Sequence, residues 1–396
     1  MKKYVILTPA IGGMGGSQMY CYNKCLYLKD RGWEVCLIYF QNFEIIIEDL
    51  KQINSTYIPD LSYGIHYVTP QQRRNVIKKI KTYIGNFDEC VVETQMVKLA
   101  MWGELIAEQL HSCHILNPIE EELHSLTDGY VNFMEFKLRR GELLNASEEA
   151  LKRFFRSKYK AEFQNFFFTM VPYCSNVTSN NTLVPINYTN ADYTILSIGR
   201  LDKPYIVPMA NEICKFARYY PDKRVNVIFI GASTTGLVEK QLVSIFSSSN
   251  CSLFLEGYRF PVPIQILDKA DVAIACANSV LVSANCGVPT IVIDAFDYDA
   301  VGIYGYTTMQ KLERCNEERI KVSKLLKDVL IDSKYKKAKV LNNDEIEARN
   351  NLNQQIDFAE KALNKEHKYY NVSKVYTLID YIYCNLKRIG HIILKR

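Results

Sequence analysis

The chain has 396 residues, enough for two to three domains and too many for a single small one. The AVILMFWYC set makes up 48% and charged residues 23%, which excludes a disordered or fibrous chain. Forty-eight Lys and Arg against 43 Asp and Glu leave a net charge of +5, too little over this length to indicate nucleic-acid binding, so any basic surface must be local.

In chain order, Tyr4 to Thr8 is a short apolar run, followed by the glycine loop IGGMGGS and a helix-like stretch from about Gln18 to Arg31. Gly32 closes that helix and Val35 to Phe40 resumes as a strand, which makes a βαβ unit. The start, Met1-Lys2-Lys3 plus apolar residues, imitates an export signal. The stretch is short, contains Pro9 and runs into glycines, so it reads as a buried first strand. Strands are predicted at Ile65 to Val68, Cys90 to Glu93 and His114 to Leu116, giving a parallel sheet covered by helices. Residues 130 to 170 read as mostly helical, with Asn145 three residues before Glu148 as a capping pair.

Residues 173–192 lack periodicity and are rich in Asn, Ser and Thr, the composition of an interdomain linker. The alternation then restarts with strands at Tyr193 to Ile198, Val225 to Ile230, Ser252 to Leu255, Val272 to Ala275 and Thr290 to Ile293. Helices are predicted at Tyr205 to Tyr220 and Leu237 to Phe246. The expected class is α/β, with doubly wound domains over 1–172 and 193–355 and a ligand at the carboxyl ends of their strands. A helical segment over 356–396 follows and is expected to pack back on the first domain. Within it, Val372, Val375, Ile379, Ile382, Leu386, Ile389 and Ile393 form a stripe opposite Lys374, Lys387, Arg388, Lys395 and Arg396. That pattern suits an anionic membrane surface as well as packing on the first domain.

Twelve cysteines show neither CxxC pairs nor a Cys/His cluster, which argues against structural zinc, and no metal site is expected. They sit in apolar runs such as Val35-Cys36-Leu37, as reduced cysteines do, so a cytoplasmic setting is expected. No run of about 18 apolar residues predicts a spanning helix.

Three segments carry chemistry. Gly12, Gly13, Gly15 and Gly16 lie where the first strand hands over to a helix, and glycines there let backbone N–H groups approach a phosphate or sugar. The pattern is neither GxGxxG nor a Walker loop, and a tight turn without ligand is the competing reading. Gly199-Arg200-Leu201-Asp202-Lys203 ends the first strand of the second half, where Arg and Lys suit a diphosphate if they are more than solvated loop charges. Ala270 to Asp294 reads as strand, polar turn at Ala277-Asn278-Ser279, short helix, Gly287-Val288-Pro289 and strand, a connection that also offers N–H groups to a ligand. Glu93, at a strand end, is a candidate base. Glu120 is a candidate for orienting an acceptor, although the run Glu120 to Glu122 is also what a solvated helix start looks like.

The order and spacing of the GGMGG loop, GRLxK, Gly231-Ala232-Ser233, Glu256-Gly257-Tyr258 and AD…CGVP resemble glycosyltransferase family 4 and its relatives of GT-B fold, over most of residues 1–300. FMEFKLRRGELLNASEEALKRFF and SIGRLDKPYIVPMANEICKFARYYP are similar to bacterial enzymes that build capsular or other surface polysaccharides. The resemblance implies two Rossmann-like domains facing a cleft. It also implies metal-independent, retaining transfer of a sugar from a nucleotide-diphosphate donor to a glycan or lipid-linked acceptor. The nucleotide sugar is then a substrate, and no cofactor is required. Arg200 and Lys203 match the two phosphate-binding positions, with only two residues between them because this loop is short. Gly12 to Gly16 match the glycine loop, Gly199 and Gly231 fall on the donor side, and the base would lie near Tyr258. The family places two glutamates before its small-Gly-x-Pro turn. Here Val282 stands at the second position and the first falls in an apolar strand, so Asn278 or Ser279 is expected to hold a sugar hydroxyl. The same departure leaves open a catalytically silent paralogue that scaffolds polysaccharide assembly.

Overall fold

A computed structural model describes the chain except residues 14, 120–127, 167–176, 179–187, 296, 310–317, 336–342 and 373–396. The chain divides into two units, one of Met1–Gly13, Ser17–Pro172 and the stretch from Arg349, the other of Met14–Gly16 and Tyr173–Ala348. The first contains β1 (Lys2–Thr8), α1 (Gly16–Asp30), β2 (Glu34–Tyr39), β3 (Ser55–Tyr57), α2 (Pro70–Ile84), β4 (Glu89–Thr94), α3 (Val97–Leu110), β5 (Cys113–Leu116), α4 (Asp128–Arg140) and α5 (Glu148–Phe155). Its sheet has the order β3-β2-β1-β4-β5 and every pair is parallel. Tyr4 through Leu7 of β1 are wholly buried, as a strand covered on both faces requires, which is why an unbroken apolar run replaces alternation.

Two expectations fail locally. Ile65–Tyr67 is a 3₁₀ turn after Gly64, not a strand; its apolar residue Ile65 is buried against the sheet. The edge strand is Ser55–Tyr57 instead, a polar trio that owes its conformation to register against Leu37–Tyr39 and carries no hydrophobic signal of its own. Asn145 does not cap α5: it adopts φ 54 and its Nδ2 donates to the Pro118 carbonyl at 3.1 Å. Ser147 is the cap, its Oγ accepting from Ala150 N at 3.2 Å.

The second unit contains β6 (Val177–Thr178), β7 (Tyr193–Ile198), α6 (Ile206–Tyr219), β8 (Val225–Ile230), α7 (Leu237–Phe246), β9 (Cys251–Leu255), β10 (Val262–Pro263), α8 (Ile264–Lys269), β11 (Val272–Ala275), α9 (Asn278–Ala284), β12 (Thr290–Ile293), β13 (Ala300–Ile303) and α10 (Val322–Leu326). The main sheet runs β13-β12-β11-β7-β8-β9, parallel except for the antiparallel edge strand β13, and β6 pairs with β10. In both units the strand order reverses beside the first strand, between β1 and β4 and between β7 and β11, which creates a crevice at their carboxyl ends.

From Arg349 on, α11 (Asn343–Leu363) is part of the first unit. Leu352, Ile356 and Ala359 are buried, and Arg31, in the turn just after α1, pairs with Asp357 at 2.5 Å and Glu360 at 3.0 Å. The striped tail lies outside the described residues apart from Val372, which is buried in the first unit's core. No helix among the described residues is long and apolar enough to cross a membrane.

Two ionic clusters lie inside the first unit. Lys24 of α1 pairs with Glu93 of β4, both side chains fully buried. Glu93 also accepts from Tyr4 at 2.6 Å, from Asn117 at 3.0 Å and from Gln95 at 3.4 Å, while Lys24 also donates to Tyr20 and Gln355, each at 3.0 Å. Burial alone would push the Glu93 carboxyl up, but the Lys24 charge and these donors hold it below the ordinary carboxylate range. In the second cluster Glu104 receives His114 Nδ1 at 2.6 Å, Lys137 at 2.5 Å and the Tyr370 backbone N–H at 2.7 Å.

Because breaking a buried pair strands a charge in a low-dielectric interior, Lys24→Met is expected to lower stability by roughly 3–5 kcal/mol in urea unfolding, and adding Glu93→Gln should recover part of it. Glu104 supplies a pH test. Burial raises its carboxyl, but Lys137 and His114 bring it down to about 2. Its contribution is therefore present above the unfolded value near 4.5 and lost as pH falls toward 2, on the order of 3 kcal/mol. Glu104→Gln should flatten the acid limb of a stability-against-pH curve, and an unchanged limb would show that the depression is absent.

Candidate functional site

The crevice of the second unit is assembled by backbone contacts among the loops that follow β7, β8 and β9. Gly199 N donates to Ile230 O at 2.9 Å, Gly231 N to Gly257 O at 2.7 Å, and Leu201 N to Ala232 O at 3.2 Å. A Cβ on Gly231 would stand 1.9 Å from the Gly199 carbonyl oxygen, and its φ of +145° is one L side chains rarely adopt. Glycine at 231 is thus a steric condition for the loops to meet. Ser233 is fixed in turn by Glu239, whose Oε1 accepts the Ser233 N–H at 2.6 Å.

Onto this frame the 199–203 turn hangs two cations. Arg200 is 47% exposed, and its guanidinium Nε lies 3.6 Å from Asp202 Oδ1, a contact too loose and wet to consume it. Thr234 Oγ1 holds the other Asp202 oxygen at 3.0 Å. Lys203 closes the turn, its N–H facing the Arg200 carbonyl at 3.5 Å and its own carbonyl accepting from Ile206 N at 3.1 Å at the start of α6. Tyr258 donates to Ala232 O at 3.1 Å; partial burial raises its phenol, the Asp202 carboxylate adds to this and Arg200 opposes it. Gly199, Arg200, Asp202, Gly231 and Tyr258 therefore share one neighbourhood.

Across the switch point, a Cβ on Gly199 would lie 3.8 Å from both Ser279 Oγ and Tyr205 OH, which places Ser279 of α9 beside the Gly199 loop. Ala277, just before α9, has φ 57 and ψ −131, backbone strain of the kind that gathers at ligand sites. Asn278 Oδ1 is buried with no hydrogen-bond partner among the described residues. α9 has only seven residues, fewer than two turns, so the side chains of Asn278 and Ser279 carry more weight than its peptide dipoles. Val282 is buried among Val262, Ile266, Leu267 and Val288, in an apolar environment unsuited to a carboxylate.

The first unit places its predicted residues differently. Glu93 is no accessible base: it is wholly buried, its carboxylate already accepting Lys24, Tyr4, Asn117 and Gln95. The apolar environment of strand β4 and the α1 lysine account for this. Gly12 and Gly13 form a contact with the chain at 43–45. A Cβ on Gly12 would lie 2.1 Å from Phe43 O, and Gly13 N donates to Glu44 O at 2.7 Å. Both glycines thus permit close backbone packing there. Gly15 is half-buried and Gly16 opens α1 with nothing within 4 Å of its missing Cβ. Glu120 lies outside the described residues.

Lys24 escaped sequence reading although its signal was present. It falls on the stripe Tyr20, Cys21, Lys24, Cys25 and Leu28, the three-four spacing that buries one face of α1. Asp202, Thr234 and Glu239 were missed because their roles arise from loops that meet only in three dimensions. Among the described residues no group of three or more His, Cys, Asp or Glu is placed to hold a metal ion.

No protein-family model and no curated protein matches the sequence. Solved structures do. Anabaena HepE in complex with UDP is 13% identical, covers 92% of this chain and all of its own, and superposes with a TM-score of 0.59. A mutant of S. aureus TarM in complex with fondaparinux, α-GlcNAc-glycerol and UDP is 9% identical, with 92% and 100% covered and a TM-score of 0.55. S. aureus MnaA with UDP is 12% identical, with 94% and 100% covered and a TM-score of 0.51. At these identities the likeness is one of fold, and it extends over nearly the whole chain: a mixed α/β protein of GT-B fold, built on two largely parallel sheets.

Proposed function

We propose that the second unit binds a nucleotide-diphosphate sugar and that the chain transfers the sugar to a glycan or lipid-linked acceptor, without a metal and with retention, in surface-polysaccharide synthesis. The observation that carries this reading is the glycine-built crevice at the carboxyl ends of β7 and β11, where Arg200 and Lys203 share one tight turn and Ser279 stands opposite. That UDP is bound in the HepE, TarM and MnaA structures supports the choice of ligand.

The chemistry follows from charge. As the glycosidic bond to the diphosphate breaks, negative charge accumulates on the leaving oxygens. A guanidinium that forks two of them and an ammonium beside it favour the transition state over the ground state. Asp202 keeps Arg200 near the turn without binding it tightly. Asn278 Oδ1, lacking a partner among the described residues, is suited to accept a hydrogen bond from a sugar hydroxyl, and Ser279 Oγ both donates and accepts. These two take the part of the missing glutamates.

The apolar burial of Val282 favours a second reading, a catalytically silent paralogue with a scaffolding role. Donor hydrolysis across a panel of nucleotide sugars separates the two, since a silent protein binds without turnover.

Arg200→Ala and Lys203→Ala should each weaken UDP binding by roughly 10- to 100-fold in calorimetry, Arg200 more, because a charge-assisted contact to phosphate is worth about 1.5–3 kcal/mol. Unchanged affinity in both folded variants removes the donor assignment. Gly231→Ala should abolish UDP binding by driving apart the loops after β7 and β8, with far-UV circular dichroism preserved. Asn278→Ala with Ser279→Ala should raise the donor KM or lower kcat while UDP alone still binds, and turnover should persist in EDTA.

A further inference from the structure

The loop from Gly231 to Gly236 joins β8 to α7 and carries no charged side chain of its own. Its far end departs from the usual capping pattern. Gly236 is the N-cap of α7, so Glu239 stands at the third helical position, from which a carboxylate ordinarily reaches back to the N-cap N–H. Here that N–H goes to Ser233 Oγ at 2.9 Å. The Glu239 carboxylate passes beyond it and takes Ser233 with both oxygens, Oε1 on the backbone N–H at 2.6 Å and Oε2 on the hydroxyl. Burial alone would push the Glu239 carboxyl up, but the Ser233 hydroxyl and N–H hold it below the ordinary carboxylate range, so both contacts are charge-assisted at neutral pH. Ser233 serves the helix, and the carboxylate serves the loop. At its near end the same loop bears on the cationic turn. Ala232 O accepts from Leu201 N at 3.2 Å and from the Tyr258 hydroxyl at 3.1 Å, and Thr234 Oγ1 donates to Asp202 Oδ2 at 3.0 Å. Asp202 Oδ1 in turn lies 3.6 Å from Arg200 Nε. Residues 232, 233 and 234 are consecutive, so fixing Ser233 fixes both neighbours that touch the turn.

We infer that Glu239 is a positioning residue for the donor diphosphate, acting through Ser233, Thr234 and Asp202 to hold the Arg200 guanidinium where the phosphate oxygens arrive. This rests on the reading of the crevice as a nucleotide-sugar site. The sign of the charge selects an indirect role, because a carboxylate repels a diphosphate and can favour its binding only through the groups it holds. Arg200 is 47% exposed and only loosely held by Asp202. A long, wet side chain gives up rotamer freedom when it closes on a phosphate, and a carboxylate kept beside it lowers that cost. With Glu239 removed, Ser233 and Thr234 loosen, Asp202 loses its second anchor, and Arg200 meets the ligand from a wider range of positions.

The test is a double-mutant cycle on UDP affinity, measured by calorimetry on the full chain. Glu239→Ala is expected to weaken UDP binding roughly five- to tenfold and Thr234→Val by a similar factor, whereas either one added to Arg200→Ala should cost less than about twofold more, because the guanidinium they position is gone. Glu239→Gln keeps an oxygen for the Ser233 N–H and should recover part of the affinity lost in Glu239→Ala. Additive losses in the Arg200→Ala background overturn the inference, since a purely structural Glu239 weakens binding alike in both backgrounds. Unchanged affinity in folded Glu239→Ala and Thr234→Val overturns it as well. Thermal melts accompany every variant, and if Glu239→Ala misfolds the cycle is carried by Thr234→Val, which leaves Glu239 and Ser233 in place. The two readings separate cleanly: a native chain that ignores UDP removes the donor assignment and this inference together, while a costly Arg200→Ala with additive losses on top removes this inference alone.

Discussion

Within the first unit, a lysine and a glutamate share an interior from which water is excluded, and much of that unit is arranged to make this tolerable. Lys24 comes from α1, Glu93 from β4, Tyr4 from β1, Asn117 from the end of β5 and Gln355 from α11, so one ion pair draws on five segments far apart in sequence. Each charge keeps its ionised form only because the others are in place. Such a pair adds little net stability compared with an apolar core, but it penalises any arrangement in which one donor is missing. The C-terminal stretch is thereby tied to the sheet it returns to, and Tyr370 repeats the device by donating its backbone N–H to the buried Glu104. Glu93, which looked from its strand-end position like a base, is occupied in this way with holding the unit together.

The second unit answers a different constraint. A phosphate ligand needs cations and N–H groups brought close on a backbone with little side chain in the way, and here the loops after β7, β8 and β9 touch through Gly199, Gly231 and Gly257. Substituting Cβ atoms into that contact is sterically impossible at Gly231. The turn that carries Arg200 and Lys203 is short for the resemblance it bears, and the strain at Ala277 and the unpartnered oxygen of Asn278 gather at the same crevice. Rigid glycine contacts around the turn that carries two cations, the exposed Arg200 and the half-buried Lys203, are an arrangement in which binding energy can be spent on the charge that develops during reaction.

Much of the architecture was legible because both sheets are parallel. Strands covered on both faces must be continuous apolar runs, so Tyr4 to Thr8, Val225 to Ile230 and Thr290 to Ile293 announce themselves. Ser55–Tyr57 did not, since an edge strand of polar residues is defined by its partner's hydrogen bonds alone. Ile65–Tyr67 misled for the converse reason: a single buried Ile in a 3₁₀ turn mimics a strand end. Of the candidate site, the glycines and the pair Arg200 and Lys203 could be found as residue types in a pattern. Asp202, Thr234 and Glu239 could not, because hydrogen bonds between separate loops leave no spacing rule in the chain.

By itself, the sequence determined the alternation of strands and helices and the glycines at strand ends, because burial on two faces and close backbone approach are written residue by residue. Only the tertiary structure decided which charges are buried and which are free to meet a ligand. Lys24 and Glu93 vanish into an interior while Arg200 stays in water, and that difference depends on what the rest of the fold places around each side chain.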